Sequence, residues 1–277
     1  MIHLALLLPQ YNQLEYTEAA LLSAACSTAL PNGGKLAVLV LDDGTPGFVS
    51  RADARRRDWQ RSVDAVAASG PGSVLVETYA QGDNCGLTHQ WNKGLREAQR
   101  LGAKYVCAAN NDLLFARHWN LTLEVGLRRG FGLTGPLTNA PGTEQAQAVT
   151  EYLPDYRVCD QQDWIDRVGA ELYESYGADI RAVEALNGFC LYAEGKTWAE
   201  NAFDANHVFR PRNDFNSKGR PNPTPLMTLN EYELQKRWRE RGLLSGLCLG
   251  SFVFHYRSVT RGDRHKSGLW HRRQVRA

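Results

Sequence analysis

The sequence has no run approaching the ~20 apolar residues of a membrane-spanning helix, so an integral membrane role is not expected. It has no CxxC pair and no zinc-type spacing of cysteine and histidine. Its six cysteines (Cys26, Cys85, Cys107, Cys159, Cys190 and Cys248) are scattered, several of them within apolar runs. Reduced core thiols and a cytoplasmic setting are the expectation. No GxxxxGK[ST] is present, which excludes a P-loop, and no GxGxxG follows the first apolar run, which removes the usual dinucleotide fingerprint. GxSxG and HExxH are missing too, as are internal repeats and low-complexity tracts. The opening MIHLALLLPQYN lacks a basic leader and meets Pro9 early, so it reads as a strand rather than a signal peptide.

The 277 residues suit one large domain, and 43% hydrophobic with 22% charged residues is ordinary globular composition. The net charge is only +2, but it is unevenly spread. From Arg257 onward seven Lys/Arg face one acid, Asp263, with Trp270, His265 and His271 interleaved. That tail, 257–277, is a candidate for phosphate or nucleic-acid contact. A second basic run, Arg55-Arg56-Arg57, reads as the solvated face of a helix.

The first half alternates between short apolar runs and helix-like segments. Strands are expected at His3 to Pro9, Lys35 to Leu41, Ser73 to Tyr79 and Tyr105 to Ala109. Helices are expected at Glu15 to Leu30, about Ala52 to Ala68, and Leu87 to Leu101. This is the pattern of a mostly parallel, doubly wound α/β sheet. Beyond Gly142 come a helical region, Gln161 to Tyr176, a strand, Phe189 to Tyr192, and a Pro/Asn-rich loop, Arg210 to Pro225. A helix, Asn230 to Arg241, and a strand, Gly250 to Tyr256, follow. The long loop is a candidate lid or acceptor-binding segment. The change of pattern divides the chain into a first half (1–142), a second half of the same domain (143–256) and the basic tail (257–277).

Polar clusters follow the carboxyl ends of the first four strands: Gln10-Tyr11-Asn12, Asp42-Asp43-Gly44, Gly82-Asp83-Asn84 and Asn110-Asn111-Asp112. In open α/β sheets ligands bind at that edge, and four such clusters on one edge favour a site over four accidental turns.

Several motifs in fixed order resemble those of GT-A glycosyltransferases, most closely family 2, whose members are inverting and use nucleotide-sugars. They are LLLPQYN, VLDDGT, NCGLTHQWNKG, ANND in place of a metal-binding DxD, NGFCLY, NEYELQKRWRERG and FHYRSVTRG, spanning residues 3 to 262. The resemblance implies a GT-A, Rossmann-like fold with an acceptor-side extension, in which 1–142 is the nucleotide-sugar half and 143–256 the acceptor half. It also implies a nucleotide pocket shaped by Pro9, Tyr11 and Asn12, with Asp42 or Asp43 on the base or ribose. Asn84 and Asn92 would frame the donor side, Asn110 and Asn111 would line it, and Asn187-Gly188 would let the backbone approach the sugar. Asp112, joined by His255, would hold Mg²⁺ or Mn²⁺ bridging the donor diphosphate. Glu231 would be the base, with Glu233 in reserve. The family often has Arg immediately before the second Asn; here it is Trp91, so one phosphate contact is missing or comes from elsewhere, such as the tail.

Each residue also has a plainer reading. Asp42-Asp43-Gly44 and Asn187-Gly188 are turn sequences, Asn92 could face solvent on its helix, and Asn110-Asn111-Asp112 could cap a following short helix. His255 could be a buried structural histidine, and Glu231 and Glu233 could be first-turn acids favouring the helix dipole. Three functions compete: a nucleotide-sugar glycosyltransferase using a donor such as a UDP-sugar, a sugar-phosphate nucleotidyltransferase, and a non-catalytic sugar-nucleotide or nucleic-acid binding module. The acceptor is open, from a saccharide to a hydroxymethylated DNA base reached through the tail.

Overall fold

The computed structural model describes residues 1–50, 52–69, 74–142, 144–211 and 230–256. The basic tail and most of the Arg210–Pro225 loop lie outside them. The parallel half begins with β1 (Ile2–Gln10), α1 (Leu14–Ser27), β2 (Lys35–Asp42) and α2 (Ala54–Ser69). It continues with β3 (Val74–Tyr79), α3 (Leu87–Arg100) and β4 (Tyr105–Ala109). These elements fall within a few residues of the expected ones, because an uninterrupted apolar run bounded by polar turns leaves a buried strand few alternatives. β1 is buried along its whole length. Its even-numbered leucines, Leu4, Leu6 and Leu8, join a core with Leu21, Trp59 and Leu123, while Ala5 and Leu7 join Trp91 and Leu95 on the opposite face. The period-2 alternation of a strand thus divides one apolar run between two helical layers.

The second half departs from a simple βα alternation. It comprises β5 (Leu113–Phe115), α4 (Asn120–Arg128), β6 (Leu133–Leu137), α5 (Gln162–Tyr176) and β7 (Ile180–Val183). After these come β8 (Cys190–Glu194), α6 (Gly195–Glu200), α7 (Asn230–Glu240) and β9 (Ser245–His255). All nine strands form one sheet in the order β3-β2-β1-β4-β8-β6-β9-β5, with β7 on β9. β8 is antiparallel to β4, and β9 runs parallel to β6 but antiparallel to β5 and β7. Antiparallel pairings therefore dominate the half that the sequence left loosely patterned. Among the described residues no helix is long and apolar enough to cross a membrane.

The topology positions the site. From β1 the chain winds outward to β2 and β3, then crosses back to lay β4 on the other side of β1. The carboxyl ends of β1 and β4 therefore flank a switch point, the place where open α/β sheets bind ligands. Gln10-Tyr11-Asn12 and Asn110-Asn111-Asp112 lie there.

Candidate active site

After β4 one more bond, from Asn110 N to Phe189 O at 2.8 Å, extends the pairing with β8 before the chain turns away. Three residues later β5 pairs with the end of β9, with Leu113 opposite His255. Asn110-Asn111-Asp112 therefore joins two strands, and the helix-capping alternative fails because no helix follows it. The same crossing brings Asp112 beside His255: Oδ1 lies 3.3 Å from Nε2, with both side chains buried. Asn110 Nδ2 is 3.4 Å from the same Nε2.

The imidazole is fixed from three directions. Asn139 accepts from His255 N at 2.7 Å and donates to its carbonyl at 3.1 Å, imitating a missing strand. Phe189 stacks on the ring at 5.3 Å between centroids. Nδ1 lies 3.3 Å from the Ala140 carbonyl, which can only accept, so Nδ1 carries the hydrogen. Nε2 then faces the Asp112 carboxylate and the Asn110 amide, and a histidine tied back to a backbone carbonyl is the usual support of a metal ligand. Among the described residues no group of three or more His, Cys, Asp or Glu side chains is gathered to hold a metal. Asp112 and His255, with the Asn110 amide beside them, would offer a hard cation a partial shell, to be completed by phosphate oxygens and water.

Other predicted residues are engaged in holding the scaffold. Asn111 turns into the core and donates to Thr17 Oγ1 at 2.9 Å. Asp42 is fully buried and accepts from Gln10 Nε2 and from Thr45 N. Burial pushes its carboxyl above the usual range, against the opposing effect of the Thr45 and Gln10 hydrogen bonds. Asp43 accepts from four donors, the backbone N–H groups of Cys85 and Gly86 and the amides of Gln81 and Gln90, all within 3.0 Å. The pair thus knits the first strands to the loop carrying Asn84, which is exposed. Gly44 is required in this knot. Its φ is +83°, and a Cβ there would stand 2.7 Å from the Asp83 carbonyl carbon.

Pro9 lies beyond the last β1–β4 partner, Leu7, and Asn12 adopts φ 59°, donating its N–H to Thr45 Oγ1 at 3.0 Å. Tyr11 between them is half-buried. Asn92 does not face solvent. It is buried and clamps the backbone at Val208 and Phe209. Trp91 stacks on Phe209 in the core, so that position supplies no cation.

In the second half of the chain, Asn187-Gly188 leads toward β8. Gly188 is buried against Glu231: a Cβ there would lie 3.0 Å from Glu231 Cγ. Glu233 points elsewhere and pairs with Arg237 at 3.2 Å. Tyr232 donates to Glu144 at 2.6 Å. The residue after Gly188 is the Phe189 that stacks on His255, so Glu231 and His255 contact consecutive residues of one segment. Asn139 and Gln81 carry no sequence pattern, and their roles appear only once distant strands meet.

The architecture is the GT-A fold of glycosyltransferases. Two solved structures share it. GalNAc-T7, determined with UDP, GalNAc and Mn²⁺, aligns over 92% of this chain and 44% of its own, at 12% identity and a TM-score of 0.56. S. aureus TarS 1–349 aligns over 92% of this chain and 60% of its own, at 11% identity and a TM-score of 0.52. This chain thus spans about half the length of the solved structures it matches. No protein-family model matches the sequence, and no curated protein does.

Proposed function

We propose that this protein is a glycosyltransferase, akin to family 2, that moves a sugar from a nucleoside diphosphate donor, a UDP-sugar, to an acceptor hydroxyl with inversion. The observation that carries this reading is the opposition of Asp112 Oδ1 and His255 Nε2, 3.3 Å apart at the switch point of a GT-A fold. A divalent cation, Mn²⁺ or Mg²⁺, bound by this pair would neutralise charge developing on the leaving diphosphate. GalNAc-T7, which shares the fold, was determined with both UDP and Mn²⁺.

The protein's own groups do the rest. Pro9, Tyr11 and Asn12 would line the donor site at the carboxyl end of β1, and Asp42 and Asp43 hold the loops beside it. Glu231 takes the proton from the acceptor hydroxyl as the new glycosidic bond forms and the sugar–diphosphate bond breaks. Its packing against Gly188, the residue before the Phe189 that stacks on His255, supports this role. The acceptor enters from the α7 side, and the basic tail offers a route to an anionic acceptor. A cytoplasmic setting suits the reduced cysteines.

The test is hydrolysis of a panel of nucleotide-sugars by the full chain, with and without Mn²⁺ or Mg²⁺, alongside Asp112→Ala. Metal-dependent release of one nucleoside diphosphate, lost in Asp112→Ala, is the expected result. No turnover, with no metal-dependent donor binding by calorimetry, would give the lead to a binding module.

A further inference from the structure

The segment Leu186-Asn187-Gly188, which separates β7 from β8, belongs to no strand, yet Leu186 is fully buried. Its backbone must find partners, and side-chain amides provide them. Gln147 accepts from Asn187 N at 2.6 Å. Gln235, itself buried, accepts from Leu186 N at 2.7 Å and donates to Leu186 O at 2.8 Å. The same amide donates to the Glu231 carbonyl at 3.1 Å and accepts from Ser245 Oγ at 3.1 Å. Both donors and both lone pairs of Gln235 are thereby used, which fixes its orientation as well as its place.

Gln235 stands one helical turn after Glu231 on α7. It is therefore the polar joint between the helix that carries Glu231 and the segment whose next residues are Gly188, against Glu231, and Phe189, against His255. We propose that Gln235 is a positioning residue for Glu231, fixing the first turn of α7 relative to the Asp112–His255 pair. The inference rests on the glycosyltransferase reading and deepens it, since Gln235 touches neither the metal pair nor the crevice at β1. Catalytic groups tolerate small displacements poorly, so a loosened joint costs rate while leaving donor binding intact.

The experiment compares Gln235→Met and Gln235→Glu with the parent chain, each also made in a Glu231→Gln background. Gln235→Glu retains the two accepting contacts but turns an oxygen on the Leu186 and Glu231 carbonyls, so urea unfolding is measured on both variants and kcat is read per folded protein. Transfer or donor hydrolysis gives kcat, and calorimetry gives UDP–Mn²⁺ affinity. We expect kcat to fall about 10- to 100-fold, as for other orienting partners. UDP–Mn²⁺ affinity should stay unchanged, and no further loss should appear once Glu231 is already Gln. A kcat equal to the parent's, a parallel loss of UDP–Mn²⁺ affinity, or the same fold-loss in the Glu231→Gln background would overturn the positioning role. An inactive parent chain would overturn the glycosyltransferase reading itself, a result distinguishable from an active parent indifferent to Gln235.

Discussion

Asn92 brackets the backbone of Phe209: its Oδ1 accepts from Phe209 N at 2.9 Å and its Nδ2 donates to Phe209 O at 3.0 Å. Val208 N reaches the same Oδ1 at 2.9 Å. The residue that the family resemblance assigns to the donor pocket thus uses three of its four hydrogen-bonding positions on the chain at Val208 and Phe209.

Asn92→Ala should therefore act on stability. Each buried backbone group left without a partner costs about 1–3 kcal/mol, and part of that is recovered by relaxation and water. We expect a loss of about 2–4 kcal/mol in urea unfolding, with Asn92→Asp losing less because both acceptor contacts survive. UDP affinity of the folded fraction should stay at the parent value. A large drop in UDP affinity without destabilisation would return Asn92 to the donor pocket.

The Asp112–His255 pair offers a cation only two strong ligands, with the Asn110 amide beside them. Mn²⁺ alone should consequently bind weakly, and UDP, by adding phosphate oxygens, should tighten it. Linkage requires Mn²⁺ to tighten UDP by the same factor, about 5- to 150-fold for a coupling of ordinary size. Calorimetric titrations in both orders measure that factor. His255→Ala and Asp112→Ala should each abolish the coupling, and a factor of one in the parent chain would remove the metal from the donor site.

How much of this was legible in the sequence differs between the halves for a physical reason. Runs such as LALLL and LAVLVL are too short for a buried helix and are bounded by turn residues, which selects buried strands, and the polar residues that stop them mark the ligand edge. β5 has three residues, and β6 carries Gly135 and Pro136, which sequence patterns assign to turns. Both strands exist because neighbours from far along the chain complete their pairing. At the site, Asp112 and His255 were visible as polar stops at the ends of apolar runs. Gln147 and Gln235 were not, since a lone glutamine in or near a helix looks the same whether it faces water or holds a buried backbone.

Glu231 and Glu233 lie two residues apart in the first turn of α7, yet their surroundings differ. Glu233 pairs with Arg237, whose guanidinium also donates to the carbonyls of Asn201 and Val208. Glu231 packs against Gly188. Glu231→Gln should lower kcat by about 10²- to 10⁴-fold, the range for removing a general base, with little change in donor KM. Glu233→Gln should leave kcat near the parent value and cost about 1 kcal/mol of stability through the weakened ion pair. Steady-state kinetics on both variants decides the assignment, and the reverse pattern would transfer the base to Glu233.

Gly44 tests whether the Asp42–Asp43 turn serves the donor site through the loop it holds. At φ +83° an L side chain is strained by about 1–2 kcal/mol. A Cβ there would also press on the backbone of Asp83 and Asn84, at 2.7 and 2.9 Å. That backbone leads directly to the Cys85 and Gly86 N–H groups bound by Asp43, so it cannot yield without loosening the Asp43 cluster. Gly44→Ala should lose about 2 kcal/mol or more in urea unfolding, since the strain and the contact act together. Because the displaced loop is held by the turn that bonds the end of β1, where the donor is proposed to bind, UDP affinity measured under native conditions should weaken as well. Loss of stability with UDP affinity intact would make the turn purely structural and move the nucleotide pocket away from Asn84, toward Tyr11 and Asn12.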